Sequence, residues 1–130
     1  MIKITDQEIE AVSALEPLNR YQYVIKRIAD NEVLYSLINQ KGSWAISELE
    51  DNKLFPIWSA NVFANLCALD AWAGFEYKEI TLETFQEVLI DFIEKENLLL
   101  NVFPVGIKTG FVVDVNEFTR DLADELNRYH

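Results

Sequence analysis

A chain of 130 residues is the size of one domain and long enough to bury roughly two thirds of the surface that its unfolded form exposes. Hydrophobic residues make up 50% and charged residues 25%, a composition that excludes a disordered tail. The 22 acids and 11 bases leave a net charge of −11, which opposes binding to phosphate backbones and anionic lipid and so argues against nucleic acid and membrane partners. The single cysteine forms no intramolecular disulfide, and "MIKITDQEIEAV" lacks the apolar run of a secretory signal. No apolar stretch is long enough to span a membrane, so the expectation is one cytoplasmic domain over 1–130.

In "TDQE", Thr5 can cap a helix and Glu8 can close a capping box, with Ile9, Val12 and Leu15 following at helical spacing. This predicts a helix over about 6–14. Pro17 suits the first turn of a second helix ending near Asp30, with an apolar stripe of Tyr21, Val24, Ile25 and Ile28 and with Arg20, Lys26 and Arg27 outside it. "EVLYSLIN", "WAISEL" and "LFPIW", separated by the turns "QKGS" and "EDNK", predict a three-stranded meander. Pro56 cannot donate to a ladder, which makes the third strand short, bulged or an edge.

Ser59 is placed to cap a central helix whose Val62, Phe63, Leu66 and Leu69 form one core face, shared by Cys67. "FEYKEI" reads as a strand, and Thr81 caps a helix carrying Leu82, Phe85, Leu89 and Phe92. "LLLNVFPV" and "TGFVVDV" form a hairpin across "GIK", and Asp114 with Glu117 opens a last helix with the stripe Val115, Phe118, Leu122, Leu126 and Tyr129. The order of elements predicts an α+β domain: a mainly antiparallel sheet of about five to six strands flanked by about five helices.

Three stretches, "LNRYQYVIKRIADNEVLYSL", "LFPIWSANVFANLCALDAWAGFEYKEITLETF" and "LLLNVFPVGIKTGFVVDVNEFTRDLADEL", together resemble the bacterial domain of unknown function 2750 family. The resemblance rests on the arginine-tyrosine start of the second helix, the proline and tryptophan before the central helix, the tryptophan-alanine-glycine exit and the "VFP" strand. It implies a small bacterial cytoplasmic α+β protein and carries over no functional residue.

Catalytic equipment is sparse. Histidine occurs once, as the terminal His130, and Cys67 lies in apolar sequence, which raises a thiol pKa and marks it as structural. No metal-ligand spacing occurs, the acidic turn "ELEDNK" lacks the glycine of a calcium loop, and "GIKTG" reads as a turn. Neither an enzyme nor a bound cofactor or metal is expected; a carboxylate-based hydrolase stays as a remote alternative. Trp58 and Trp72 read as core, whereas Trp44, directly after a turn, and Tyr35 are candidate interface anchors.

The acids carry the sharper signal, with ten against four bases over 81–130. On a helix from 82 to 94, Glu83, Glu87, Asp91 and Glu94 fall within about 80°, and on the last helix Glu117, Asp121 and Asp124 fall within about 60°. Such like-charge pairs cost a helix about 0.2–0.5 kcal/mol each. The pattern suits a binding surface for a basic protein. The expected function is that of an immunity protein, a toxin inhibitor that occludes a basic toxin domain, most plainly a nuclease whose groove must be positive to hold phosphate. The alternative is a small-ligand or general protein-interaction module with a pocket beneath the central helix.

Overall fold

The computed structural model describes residues 4–106 and 108–128. The first helix, α1 (Asp6–Ser13), starts where Thr5 Oγ1 accepts the Glu8 N–H at 3.1 Å, the cap expected from the sequence. α2 (Pro17–Asn31) places its proline at the first position, where the missing N–H has no helical partner to lose. It ends at Glu32, whose left-handed φ of 56° turns the chain while its N–H closes on the Ile28 carbonyl. The stripe Tyr21, Val24, Ile25 and Ile28 is buried as expected.

Arg20 is buried with that stripe, at 5% exposure, and does not stand outside it beside Lys26 and Arg27. It lies four residues before Val24 and therefore on the same helical face. Burial is possible because Arg20 Nε donates to the Phe103 carbonyl at 3.2 Å and Nη1 to the Leu15 carbonyl at 2.6 Å.

β1 (Val33–Ile38) pairs antiparallel with β4 (Glu76–Thr81) in a two-stranded ladder. After the Asn39–Ser43 turn the chain returns beside β1 only briefly, the Ala45 N–H donating to the Leu37 carbonyl at 2.9 Å. It then leaves to form β2 (Ser47–Leu49), which pairs with β3 (Asn52–Ile57). The expected meander is thus split between two sheets, which meet where Trp58 and Tyr35 exchange two backbone hydrogen bonds of 2.8 and 2.9 Å. In the four-stranded sheet the order is β2-β3-β5-β6, with β5 (Leu99–Val102) parallel to β3 and antiparallel to β6 (Phe111–Val113).

β3 is therefore internal, and its proline is accommodated by register. The β2 ladder ends at the Ser47–Leu54 pair, so no β2 residue stands opposite Pro56 to need the N–H that it lacks. The Pro56 carbonyl accepts from the buried Ser36 hydroxyl at 2.6 Å.

The central helix is shorter than its apolar spacing suggested. α3 (Asn61–Asn65) is capped by Ala60 and not by Ser59, whose hydroxyl is buried without a hydrogen-bond partner. Phe63 and Cys67 are buried, but Leu66 and Leu69 are 48% and 42% exposed. The helix stops after five residues and a 3₁₀ turn at Asp70–Trp72 follows, so the 3.6-residue period no longer decides which side chains face inward.

α4 (Leu82–Thr84), a π-helical stretch Phe85–Leu89 and α5 (Ile90–Lys95) run on as one helical segment, opened by Thr81 Oγ1 accepting from the Thr84 N–H. α6 (Val115–Asn127) is capped by Asp114, which accepts the Glu117 N–H at 2.8 Å. α6 packs on α2, and its Phe118 ring meets Phe85 edge-on with centroids 5.7 Å apart. One hydrophobic cluster joins helices and sheets, with Trp58, Phe55, Phe63, Phe85, Phe103 and Phe118 as its largest fully buried side chains. The expected α+β class is what the chain adopts. Of the expected last stripe, Val115, Phe118 and Leu122 are buried, Leu126 is half-buried, and Tyr129 lies outside the described residues.

Candidate functional site

The π-helical stretch sets the geometry of the first acidic ridge. Its wide turn is closed by the Ile90 N–H donating to the Phe85 carbonyl, an i→i+5 bond, and the extra residue turns everything after it back by about 100°. In a regular α-helix a four-residue repeat drifts by about 40° per step. The wide turn takes up that drift, so Phe85, Leu89 and Ile93 stay in line on the buried side. Ile93 replaces Phe92, the residue expected there, as the last fully buried position; Phe92 is half-buried. Glu83, Glu87 and Asp91 repeat in the same phase and form a straight exposed row opposite, while Glu94, also exposed, is displaced to one side.

On α6, Glu117 and Asp124 are exposed. Asp121 is half-buried and accepts the Tyr21 hydroxyl at 2.6 Å, which makes it a latch between α6 and α2. A groove of about 470 Å³ runs beside this latch, where Asp124 and Glu125 face Lys26 and Arg128. Two ion pairs occur among the described residues, Arg27–Glu8 at 3.2 Å and Arg128–Glu125 at 3.4 Å. None of Glu83, Glu87, Asp91, Glu94, Glu117 or Asp124 has a cation partner among the described residues. The Phe85–Phe118 contact thus joins two helices whose exposed carboxylates are uncompensated.

The two aromatic anchor candidates differ. Tyr35 is 6% exposed, its hydroxyl donating to Glu79 Oε1 at 2.7 Å directly across the β1–β4 ladder, so it is a core residue and no surface anchor. A β-branched and aromatic strand context is compatible with either face, and only the pairing shows which one is covered. Trp44 is half-buried, its ring 5.3 Å from that of Phe55, and retains surface for contact. Tyr77 on β4 was missed by sequence reasoning: it is 44% exposed and rests on Tyr35 with ring centroids 6.0 Å apart. "FEYKEI" lacks the strict alternation that would have shown its face.

Cys67 donates from Sγ to the Pro104 carbonyl at 3.2 Å, and burial pushes its thiol pKa up, the environment of a structural cysteine. Near it lies a cavity of about 330 Å³ lined by Ile46, Cys67, Trp72, Asn101, Pro104 and Lys108 among others. No group of three or more His, Cys, Asp or Glu side chains placed to hold a metal occurs among the described residues, and His130 lies outside them. Among the described residues no helix is long and apolar enough to cross a membrane.

A family described as "Protein of unknown function (DUF2750)" matches residues 21–122. The chain belongs to this family. The matched span of the DUF2750 fold runs from Tyr21 to Leu122 and includes both sheets, the π-helical stretch and the row Glu83, Glu87 and Asp91. No curated protein matches the chain.

Proposed function

We propose that this DUF2750 protein is a binding protein of the immunity type, a cytoplasmic inhibitor that covers the basic groove of a toxin domain, a nuclease being the class that fits best. The observation that carries the reading is the straight row of Glu83, Glu87 and Asp91, uncompensated by cations among the described residues and borne on a helix packed against the acid-bearing α6. Carboxylates in a row stand in for successive phosphates, and the toxin's Arg and Lys side chains pair with them. Complementary charge of this kind steers encounter and excludes wrong partners, while Trp44 supplies apolar contact at the rim. The mechanism is occlusion without turnover.

The test measures association and dissociation rates with candidate basic nuclease-toxin domains, at several salt concentrations. Replacing Glu83 and Glu87 by Gln and Asp91 by Asn should slow association and flatten its salt dependence, with the free protein as stable as before or slightly more so, because like-charge repulsion is removed. A second variant, Glu117→Gln with Asp124→Asn, tests α6; Asp121 is left in place because it holds Tyr21. Full protection and an unchanged salt response in both variants would show that the acids only solvate the surface. A second reading, a small-ligand module, is favoured by the cavity beside Cys67 and Trp72 near the exit of α3.

A further inference from the structure

β4 is the outer strand of the two-stranded ladder, and of its residues Ile80 alone is buried. The partner strand shows which backbone groups of β4 are free. Tyr35 exchanges both of its backbone bonds with Trp58, and the Leu37 carbonyl accepts from Ala45, so both residues turn their backbone away from β4. Their ladder partners are Glu79 and Tyr77. In an antiparallel pair two opposite residues either bond each other or both turn away, so Tyr77 and Glu79 point N–H and C=O out of the ladder. No other strand meets that edge among the described residues.

Charge alternates along the same edge. Glu76 and Lys78 are exposed, neither is in an ion pair among the described residues, and the residues opposite them on β1, Ile38 and Ser36, are uncharged. A lysine on an edge ordinarily discourages pairing with a foreign strand. Against a second copy running antiparallel, the outcome depends on register. Tyr77 and Glu79 can bond only to residues that also point outward, which requires the pair to be centred on a residue and not between two. Centring on Glu76, Lys78 or Glu79 sets a charge opposite its own copy, and centring on Ile80 runs the strand into α4 beyond Thr81. Centring on Tyr77 sets Glu76 opposite Lys78 twice, once on each side of the two-fold axis.

We propose that β4 is the docking edge for a second copy of this chain: two protomers pair β4 with β4 antiparallel about Tyr77, joining their ladders into one four-stranded sheet in the order β1-β4-β4-β1. Tyr77 exchanges two backbone bonds with its copy, and a Glu76–Lys78 pair lies on either side. The Tyr77 side chains, each 44% exposed in the single chain and resting on Tyr35, meet across the axis and bury the apolar surface that this edge leaves open. The shared ladder stops at Phe75, whose N–H is spent on the Trp72 carbonyl. A net charge of −11 on each copy opposes approach, and the dimer is weak for that reason and because a strand edge is a small interface. At about 0.15 M salt the repulsion is screened beyond about 8 Å, whereas directly opposed pairs keep their attraction. Glu83, Glu87 and Asp91 take no part, so the dimer stands or falls independently of toxin binding.

The test is sedimentation of the protein from micromolar to millimolar concentration at about 0.15 M salt, with amide exchange of the labelled protein at both ends of that range. A monomer–dimer equilibrium is expected, with exchange slowed at the Tyr77 and Glu79 amides as the dimer forms and changed less at Lys78, whose amide already bonds to β1. Lys78→Glu and Glu76→Lys should each raise the dimer Kd by about tenfold or more, since each turns two unlike pairs into like ones. Glu76→Lys is the sharper variant, because it lowers the net negative charge and should nevertheless weaken the dimer. Combining the two substitutions restores unlike pairs with the signs exchanged and should recover most of the affinity. All these changes are at exposed positions, and circular dichroism of each variant checks that the fold is kept. A monomer at every concentration, a dimer that Glu76→Lys strengthens or leaves unchanged, or a combined variant no better than the single ones would overturn the inference.

Discussion

Alkaline pH should destabilise this protein through three particular hydroxyls. Tyr21 donates to Asp121 at 2.6 Å, Tyr23 to Glu8, and Tyr35 to Glu79 at 2.7 Å, so each phenol ties α2 or β1 to another element through a carboxylate. Burial, and after it the bond to the carboxylate, raises all three pKa values above the ordinary phenol value; Tyr23 is pushed up to about 12, and Tyr21 and Tyr35 are raised as well. The folded protein therefore keeps protons that the unfolded chain releases above about pH 10, and stability, complete below that pH, falls as the pH rises towards the folded values. At about pH 11 each retained proton has cost on the order of 1 kcal/mol, and the three together a few kcal/mol. That is a large share of the roughly 5–15 kcal/mol by which a domain is stable.

Urea unfolding followed by circular dichroism at about pH 8 and about pH 11 gives the difference, and tyrosinate absorbance reports when each phenol ionises. Tyr35→Phe should remove about a third of the pH-dependent loss while leaving the remainder in place. If the phenols of the folded protein all ionised near the ordinary value of about 10 and stability stayed level, the three carboxylate bonds and their burial would be refuted.

Two core predictions follow from packing. Phe63, fully buried with its ring 4.6 Å from that of Phe103 and 6.2 Å from that of Tyr23, should cost about 3–5 kcal/mol when changed to Ala, whereas Leu66→Ala, at an exposed position, should stay within about 0.5 kcal/mol in the same urea assay. Gly110→Ala would place a Cβ 2.1 Å from the Val102 carbonyl oxygen, which is backbone and cannot rotate away; a loss of about 1–3 kcal/mol and faster exchange of the Gly110 amide, now held by Asn101 Oδ1 at 2.7 Å, are the expected outcomes.

The helix starts at Thr5, Thr81 and Asp114 were legible in the sequence because a cap is a bond between residues three apart, made by the chain with itself. The hairpin of β5 with β6 and the class of the fold were legible for the same reason: turn chemistry and apolar period are local properties. The acidic row was visible as a spacing of four, but its straightness depends on the π-helical turn, which no local pattern announced.

What the sequence determined by itself is where helices begin, which residues are apolar and how far acids outnumber bases. Tertiary structure alone decided what covers each face. Arg20 is buried because two carbonyls, one from Phe103, 83 residues away, receive it; Leu66 and Leu69 are exposed because α3 stops at Asn65. Tyr35 is core because Glu79 lies opposite it on a strand 44 residues away. Period and propensity report a preference for burial, whereas burial itself is a contact between distant segments, and the parallel pairing of β3 with β5 and the cavity beside Cys67 exist only once those segments have met.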